Sequence, residues 1–310
     1  MLRAVSNRVS VVIRALNEAD HLPRLYEGLA DQTRQADQVI VVDSGSTDAT
    51  VSLSEQSGAE IVHIASSDFS FGRALNVGCQ AASGDILVFV SAHVYPVDDC
   101  WLENLVAPLE QHADVALVYG RQTGDEFRTA FSEMEVMRRW FPDHSDPDQV
   151  HPFCNNANCA VRASVWKTLQ YDERLTGLED MDWARRAMLD GHRLWYAADA
   201  SIVHLHEERF SQTLNRYRRE AVAHKQIFGH QRMRSWEAAG LFAANVARDY
   251  LAAVPRRRLL QNLVSIPRFR AAQFVGSWQG FRQDGAPTIE LKRRFYYPKG
   301  FTPKGDRQPG

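Results

Sequence analysis

Val39-Ile40-Val41-Val42-Asp43-Ser44-Gly45-Ser46-Thr47-Asp48 runs four β-branched apolar residues straight into a short polar turn. Such a run suits a strand covered on both faces. In the turn, Asp43 ends the strand, Gly45 is free to take backbone angles closed to other residues, and Ser46 or Thr47 stands where it can cap a helix over 49–57. A strand end beside a helix start is where open α/β sheets bind ligands. A carboxylate there is poorly suited to hold phosphate, but it accepts hydrogen bonds from a base N–H or a ribose hydroxyl.

The neighbouring segments extend the pattern. Residues 9–13 predict a preceding strand, and Leu22, Leu25, Tyr26 and Leu29 share one face of the helix that follows, completing a βαβ unit. The turn between them, Arg14-Ala15-Leu16-Asn17-Glu18, holds no glycine. The Gly-x-Gly-x-x-Gly fingerprint is therefore absent, and an NAD(P)-dependent oxidoreductase loses its main support. Further strands are expected at 60–64, 85–90 and 115–119, and helices at 71–82 and 101–111. Met134, Val136, Met137 and Trp140 suggest another helix, followed by a polar loop at 142–152, a short helix at 165–169, and short strands at 194–197 and 201–204. Trp183 and Trp195 read as core.

A chain of 310 residues, 45% hydrophobic and 24% charged, has room for one large α/β domain and an appendage. The formal net charge of −2 argues against nucleic acid as a partner, although from Pro255 to Gly310 there are 12 Lys or Arg against 3 Asp or Glu. Cys79, Cys100, Cys154 and Cys159 form no Cys-x-x-Cys pair and read as reduced structural thiols. The first residues are too few and too polar for a secretory signal, and no apolar run reaches membrane-spanning length. A cytoplasmic protein is expected, able to lie on the inner face of the plasma membrane.

Three places carry chemistry. Glu179-Asp180-Met181-Asp182 puts three carboxylates in four residues at a helix start, more than the helix dipole calls for. His204-Leu205-His206 sets two imidazoles on one side of an extended segment. Ser91-Ala92-His93 ends the central strand. Arg73, near the start of its helix, is in reach of an anionic ligand, and Asp48 reads as a helix-start residue. From Ser211 the chain is helical and basic, with an apolar helix over 236–254 whose Arg248 and Asp249 exclude a bilayer span, then a helix over 259–281. The tail from Gln283, with Phe295-Tyr296-Tyr297, is expected to be extended or disordered.

In this order the motifs resemble family 2 glycosyltransferases of the GT-A fold, inverting enzymes that use nucleotide-activated sugars, including the rhamnosyltransferase-like enzymes of bacterial polysaccharide synthesis. The resemblance covers about two thirds of the chain. Arg14-Ala15-Leu16-Asn17-Glu18 is similar to the family's first turn, often Pro-x-Tyr-Asn-Glu. Asp43-Ser44-Gly45-Ser46-Thr47-Asp48 is similar to its Asp-Asp-Gly-Ser-x-Asp, and Glu179-Asp180 to its acidic pair. The resemblance implies an α/β GT-A domain over 1–210, and the residues beyond it read as a basic helical extension over 211–285 and a tail over 286–310. It implies Asp180 as general base with Glu179 beside it, and a nucleotide pocket drawn from Ala15, Asn17, Glu18, Asp43, Ser44 and Arg73. It also implies a divalent metal, but where the family carries Asp-x-Asp this chain has Ser91-Ala92-His93. The metal ligands are then His93 with His204 and His206, a set that favours manganese over magnesium. The implied reaction moves a sugar from a UDP- or dTDP-sugar to a hydroxyl of a glycan or polyprenyl-linked acceptor. The missing Asp-x-Asp motivates an alternative, a sugar-nucleotide-binding protein without catalysis. The basic region after Ser211 reads either as a helical cap with a solvated face or as a surface lying on an anionic membrane.

Overall fold

A computed structural model describes residues 7–229 and 231–285, with Thr288, Leu291, Phe295 and Tyr296 beyond them. The valine- and isoleucine-rich runs form its central strands. β1 (Val9–Ala15), β2 (Gln38–Asp43), β3 (Glu60–His63) and β4 (Ile86–Ser91) pair in parallel, with β1 between β2 and β4. Alternate side chains serve opposite faces. Val11, Ile13, Val41, Val88 and Val90 enter one core and Val12, Ile40, Val42, Leu87 and Phe89 the other. Helices cover both faces, which is why these strands read as continuous apolar runs rather than as alternating ones.

The sheet continues through β5 (Val94–Pro96), β6 (Val115–Thr123), β7 (Asn158–Arg162) and β8 (Arg193–His204) in the overall order β3-β2-β1-β4-β7-β6-β8-β5. β7 runs antiparallel to both β4 and β6, so the sheet is mixed. The helices are α1 (Leu22–Ala30), α2 (Thr50–Gln56), α3 (Phe71–Ala81), α4 (Trp101–Gln111), α5 (Phe131–Trp140), α6 (Ala163–Thr168) and α7 (Glu179–Leu189). They are followed by α8 (Phe210–Phe228), α9 (Ser235–Ala253), α10 (Leu259–Asn262) and α11 (Ser265–Phe281).

Several details differ from the sequence expectation. The two short strands at 194–197 and 201–204 are one strand, β8, because pairing with β6 persists across a register shift between Gly120 and Gln122. The helix expected over 259–281 is broken into α10 and α11. β5 and β7 were not foreseen, since three residues and a five-residue segment running directly into a helix show little periodicity. Neither Ser46 nor Thr47 caps α2. Asp48 Oδ1 accepts the Thr50 N–H instead, while Ser46 Oγ accepts the Asn17 N–H.

The C-terminal helices are fastened to this body. Gly276 and Gly280 bring α11 against the backbone of Leu214 and Arg218 on α8, an approach a Cβ would block. Inside, Arg270 donates from Nε and Nη2 to the two oxygens of Asp249, at 2.7 and 2.8 Å, and Ser132 Oγ donates to Asp249 Oδ2 at 2.6 Å. That ion pair ties α9, α11 and α5 together. Most of the tail expected at 286–310 lies outside the described residues. Of those described, Leu291 and Phe295 pack against Val222, and Tyr296 meets the Phe69 and Phe71 rings edge-on.

Candidate active site

Parallel strands deliver their C-terminal residues to one edge of the sheet, and here that edge is polar. Ala15 lies in register with Asp43, and Arg14 with Ser91. Beyond it opens a cleft of about 510 Å³ whose walls include Arg14, Glu18, His93, Asn156, Glu179 and Asp180, with α8 supplying Gln212, Arg216, Arg219 and Glu220.

Asp180 is buried at the start of α7. Its Oδ2 accepts the Asn156 N–H at 3.1 Å and its Oδ1 the Met181 N–H at 2.8 Å. Burial and the adjoining Glu179 carboxylate together raise its pKa from 3.8 to about 7, against the pull of those N–H groups and of Arg14. Glu179 is in turn held by Arg14 Nη1 at 3.2 Å. The turn leading in is strained, with Leu178 at φ 55°, a left-handed conformation that costs a branched residue. Two charge-bearing side chains approach the same ring, Arg14 at 5.3 Å and Arg219 at 4.6 Å from the centre of Phe71.

His93, His204 and His206 converge. One ligating atom from each lies within 4.8 Å of the others. His93 and His204 stack with ring centres 5.1 Å apart, and His206 meets His204 at 4.0 Å. Each Nδ1 faces an oxygen: Glu18 Oε1 at 3.0 Å, Gln122 Oε1 at 2.8 Å and Glu133 Oε1 at 2.9 Å, for His93, His204 and His206 in turn. Carboxylate and amide oxygens only accept, so each imidazole donates from Nδ1 and is left with Nε2 as its ligating nitrogen. Nε2 of His204 is buried without a hydrogen-bond partner. Burial, with His206, His93 and Arg216 nearby, pushes the His204 pKa well below 6.5, so it stays neutral. Neutral imidazoles oriented by acceptors on the other ring nitrogen are how proteins present histidine to a transition metal. The residues present therefore fit a divalent cation that tolerates nitrogen ligands. Behind His206, burial would lift the Glu133 carboxyl, but Arg216 and His206 outweigh it and hold its pKa at about 2.

Of the residues singled out from the sequence, Glu18, His93, Glu179, Asp180, His204 and His206 share this cleft. Ala15, Asn17, Asp43 and Ser44 lie at the neighbouring turn, outside its walls. Asp43 accepts the N–H groups of Gly45 and Ser46 and faces His63 Nδ1 at 3.3 Å. Asn17, at φ 56°, accepts the Thr47 N–H with its side chain, and Ser44 donates to the Ala15 carbonyl. Arg73 is not brought to the cleft, and its guanidinium pairs with Glu173 at 3.4 Å. Sequence reasoning missed Arg14, Asn156 and Arg219 as cleft residues. The Asn156 amide is buried with neither polar atom paired, and Arg219 Nε is likewise unpartnered. No spacing rule marks an isolated asparagine or one arginine among several.

The sequence profile of glycosyl transferase family 2 matches residues 10–169. The O-antigen chain rhamnosyltransferase RfbN of Salmonella typhimurium is 27% identical over 232 residues, covering 70% of this chain and 72% of its own. Among solved structures, the mannosyltransferase PcManGT of Pyrobaculum calidifontis, in complex with GDP-Man and Mn2+, superposes with a TM-score of 0.59 at 18% identity, covering 96% of this chain and 89% of that one. Glucosyl-3-phosphoglycerate synthase of Mycobacterium tuberculosis, in complex with Mn2+, UDP-glucose and phosphoglyceric acid, gives a TM-score of 0.53 at 22% identity, covering 72% of this chain and 81% of its own. The fold is thus that of GT-A enzymes, with a helical C-terminal region. The chain belongs to glycosyl transferase family 2 and is a glycosyltransferase.

Proposed function

We propose that this chain transfers a hexose, with inversion, from a nucleoside diphosphate such as dTDP or UDP to a hydroxyl of a glycan or polyprenyl-linked acceptor in cell-surface polysaccharide synthesis. The observation that carries the reading is a buried carboxyl with a pKa near neutrality, Asp180, in the same cleft as three converging imidazoles. A hydroxyl is a weak nucleophile until its proton has somewhere to go, and a base works best with a pKa near the working pH. Asp180 takes that proton as the acceptor oxygen attacks the anomeric carbon, and the bond to the nucleoside diphosphate breaks on the opposite face. Glu179, pinned by Arg14, fixes the base and bears on its pKa.

His93, His204 and His206 would hold a divalent metal, and its charge there would neutralise the departing diphosphate. Asp43, Ser44, Ala15, Asn17 and Glu18 form the nucleoside end of the site, with Arg73 further out on α3. Likeness to an O-antigen rhamnosyltransferase supports a deoxyhexose donor. The test is a thermal-shift screen of nucleoside diphosphates and their sugars with and without manganese, followed by product analysis with the hits. Stabilisation by a dTDP- or UDP-sugar only when manganese is present supports the reading. No response to any nucleotide would remove it.

A further inference from the structure

α9 is apolar on the side it shows. Ala238, Asp249 and Ala253 are its buried residues. Opposite them Trp236, Gly240, Ala243, Ala244, Ala247 and Leu251 recur at the i, i+4, i+7, i+8 spacing of one helical face, and all six are exposed. An ordinary surface helix turns charged groups to that side. The chain beyond α9 continues the pattern, with Val254, Leu260, Leu263 and Val264 exposed, Leu260 to 82%. Eight of the fourteen large apolar side chains exposed among the described residues fall within 236–275. Between α9 and α11 a groove of about 350 Å³ opens, walled by Ala238, Phe242, Phe274, Val275 and Trp278.

The charge on this span is one-sided. Residues 231–282 contain nine arginines, no lysine and two carboxylates. Arg270 is taken up by Asp249, and Arg256 and Arg258 pair with Glu135 and Glu126 outside the span, which leaves Arg232, Arg234, Arg248, Arg257, Arg268 and Arg282 against Glu237. Among the described residues no helix is long and apolar enough to cross a membrane. An apolar helix face bordered by arginine, on helices that do not span, matches the plane where headgroups meet acyl chains, with anionic lipid as the complementary charge. A second copy of the chain would bring the same arginines against one another, which like-charge repulsion opposes.

We propose that the outer face of α9, together with 254–264 and the groove against α11, docks on an anionic lipid bilayer, the groove taking lipid hydrocarbon. α8, which walls the cleft, packs instead against the catalytic body and α11, so it is not the docking element. Cutting the chain at Phe210 would remove cleft residues together with the docking face. The test therefore uses the full chain with point variants.

The full chain is sedimented with phosphatidylglycerol–phosphatidylcholine vesicles and with phosphatidylcholine vesicles alone. Binding should be about tenfold stronger to the anionic vesicles and should fall with added salt. Leu251→Glu combined with Leu260→Glu, both at exposed positions, should lower binding by about tenfold with the melting temperature unchanged. Arg257→Ser combined with Arg268→Ser should weaken binding and flatten its salt dependence. Three results would overturn the proposal: equal binding to both vesicles, binding unaffected by the leucine substitutions, or a solution dimer that those substitutions make monomeric. Sugar transfer to a water-soluble acceptor is measured separately, so failure of docking leaves the transferase reading standing and failure of transfer leaves docking standing.

Discussion

Replacing Asp180 by asparagine separates what this carboxyl does for the chemistry from what it does to the fold. The group's pKa is 3.8 in ordinary surroundings and about 7 in the folded chain. Between those values the folded state holds the extra proton, so stability falls as pH rises across the interval and the loss is complete above it. At about 1.36 kcal/mol per pH unit, ionising the buried carboxyl costs the fold about 4 kcal/mol, spread over the pair it forms with Glu179. Asparagine carries no charge at any pH. In urea titrations the variant should therefore gain on the wild type by up to about 4 kcal/mol between about pH 4 and about pH 8. Hydrogen bonds weakened at Asn156 and Met181 displace that difference by a constant and leave its slope alone. Transfer should fall by roughly 10²–10⁴-fold while nucleotide-induced stabilisation persists, and wild-type kcat/KM should climb with pH through about 7. Parallel stability curves for the two proteins, or transfer retained by the variant, would refute this account.

Manganese at about a hundred times its Kd should stabilise the protein by about 2.7 kcal/mol, and His204→Ala should abolish the gain, as read by thermal denaturation. Magnesium at the same concentration should do much less, because it prefers oxygen ligands. Glu133→Gln should cost about 1–3 kcal/mol, because Arg216 loses the more deeply buried of its two carboxylate partners and keeps only Glu208. The wild type should lose the stability Glu133 supplies as pH falls from 4.5 towards about 2, since the folded pKa lies below the unfolded one, whereas Glu133→Gln should show no such loss in the same acid titration. Asp43→Asn should weaken nucleotide binding by calorimetry while leaving the manganese response intact, and unchanged nucleotide affinity would detach Asp43 from the site.

The parallel half of the sheet was legible because strands buried on both faces must be apolar throughout, as 9–13, 39–42 and 86–90 are. The acidic start of α7 stood out because it exceeded any structural need. The antiparallel strand β7 was hidden for the opposite reason. Asn-Cys-Ala-Val-Arg has no long apolar run, and its place between β4 and β6 is set by partners distant in sequence. The histidines could be named from their positions, but their readiness as ligands could not. That depends on Gln122 and Glu133, which approach from β6 and α5 and carry no motif of their own. The apolar helix over 236–254 was legible, and a membrane surface was one reading of its region, but its outward face was not, since an alanine-rich stretch does not say which side the fold covers.

Arg216 and Arg219 reach the cleft from α8, whose place is fixed by glycine-to-backbone contact with α11. A chimera that exchanged only the region shared with the family profile would inherit one wall of the chamber and lack its counterpart. Rebuilding that wall on another scaffold therefore means moving α8 and α11 together, with the spacing of Gly276 and Gly280 kept as the hinge-pin of the transplant.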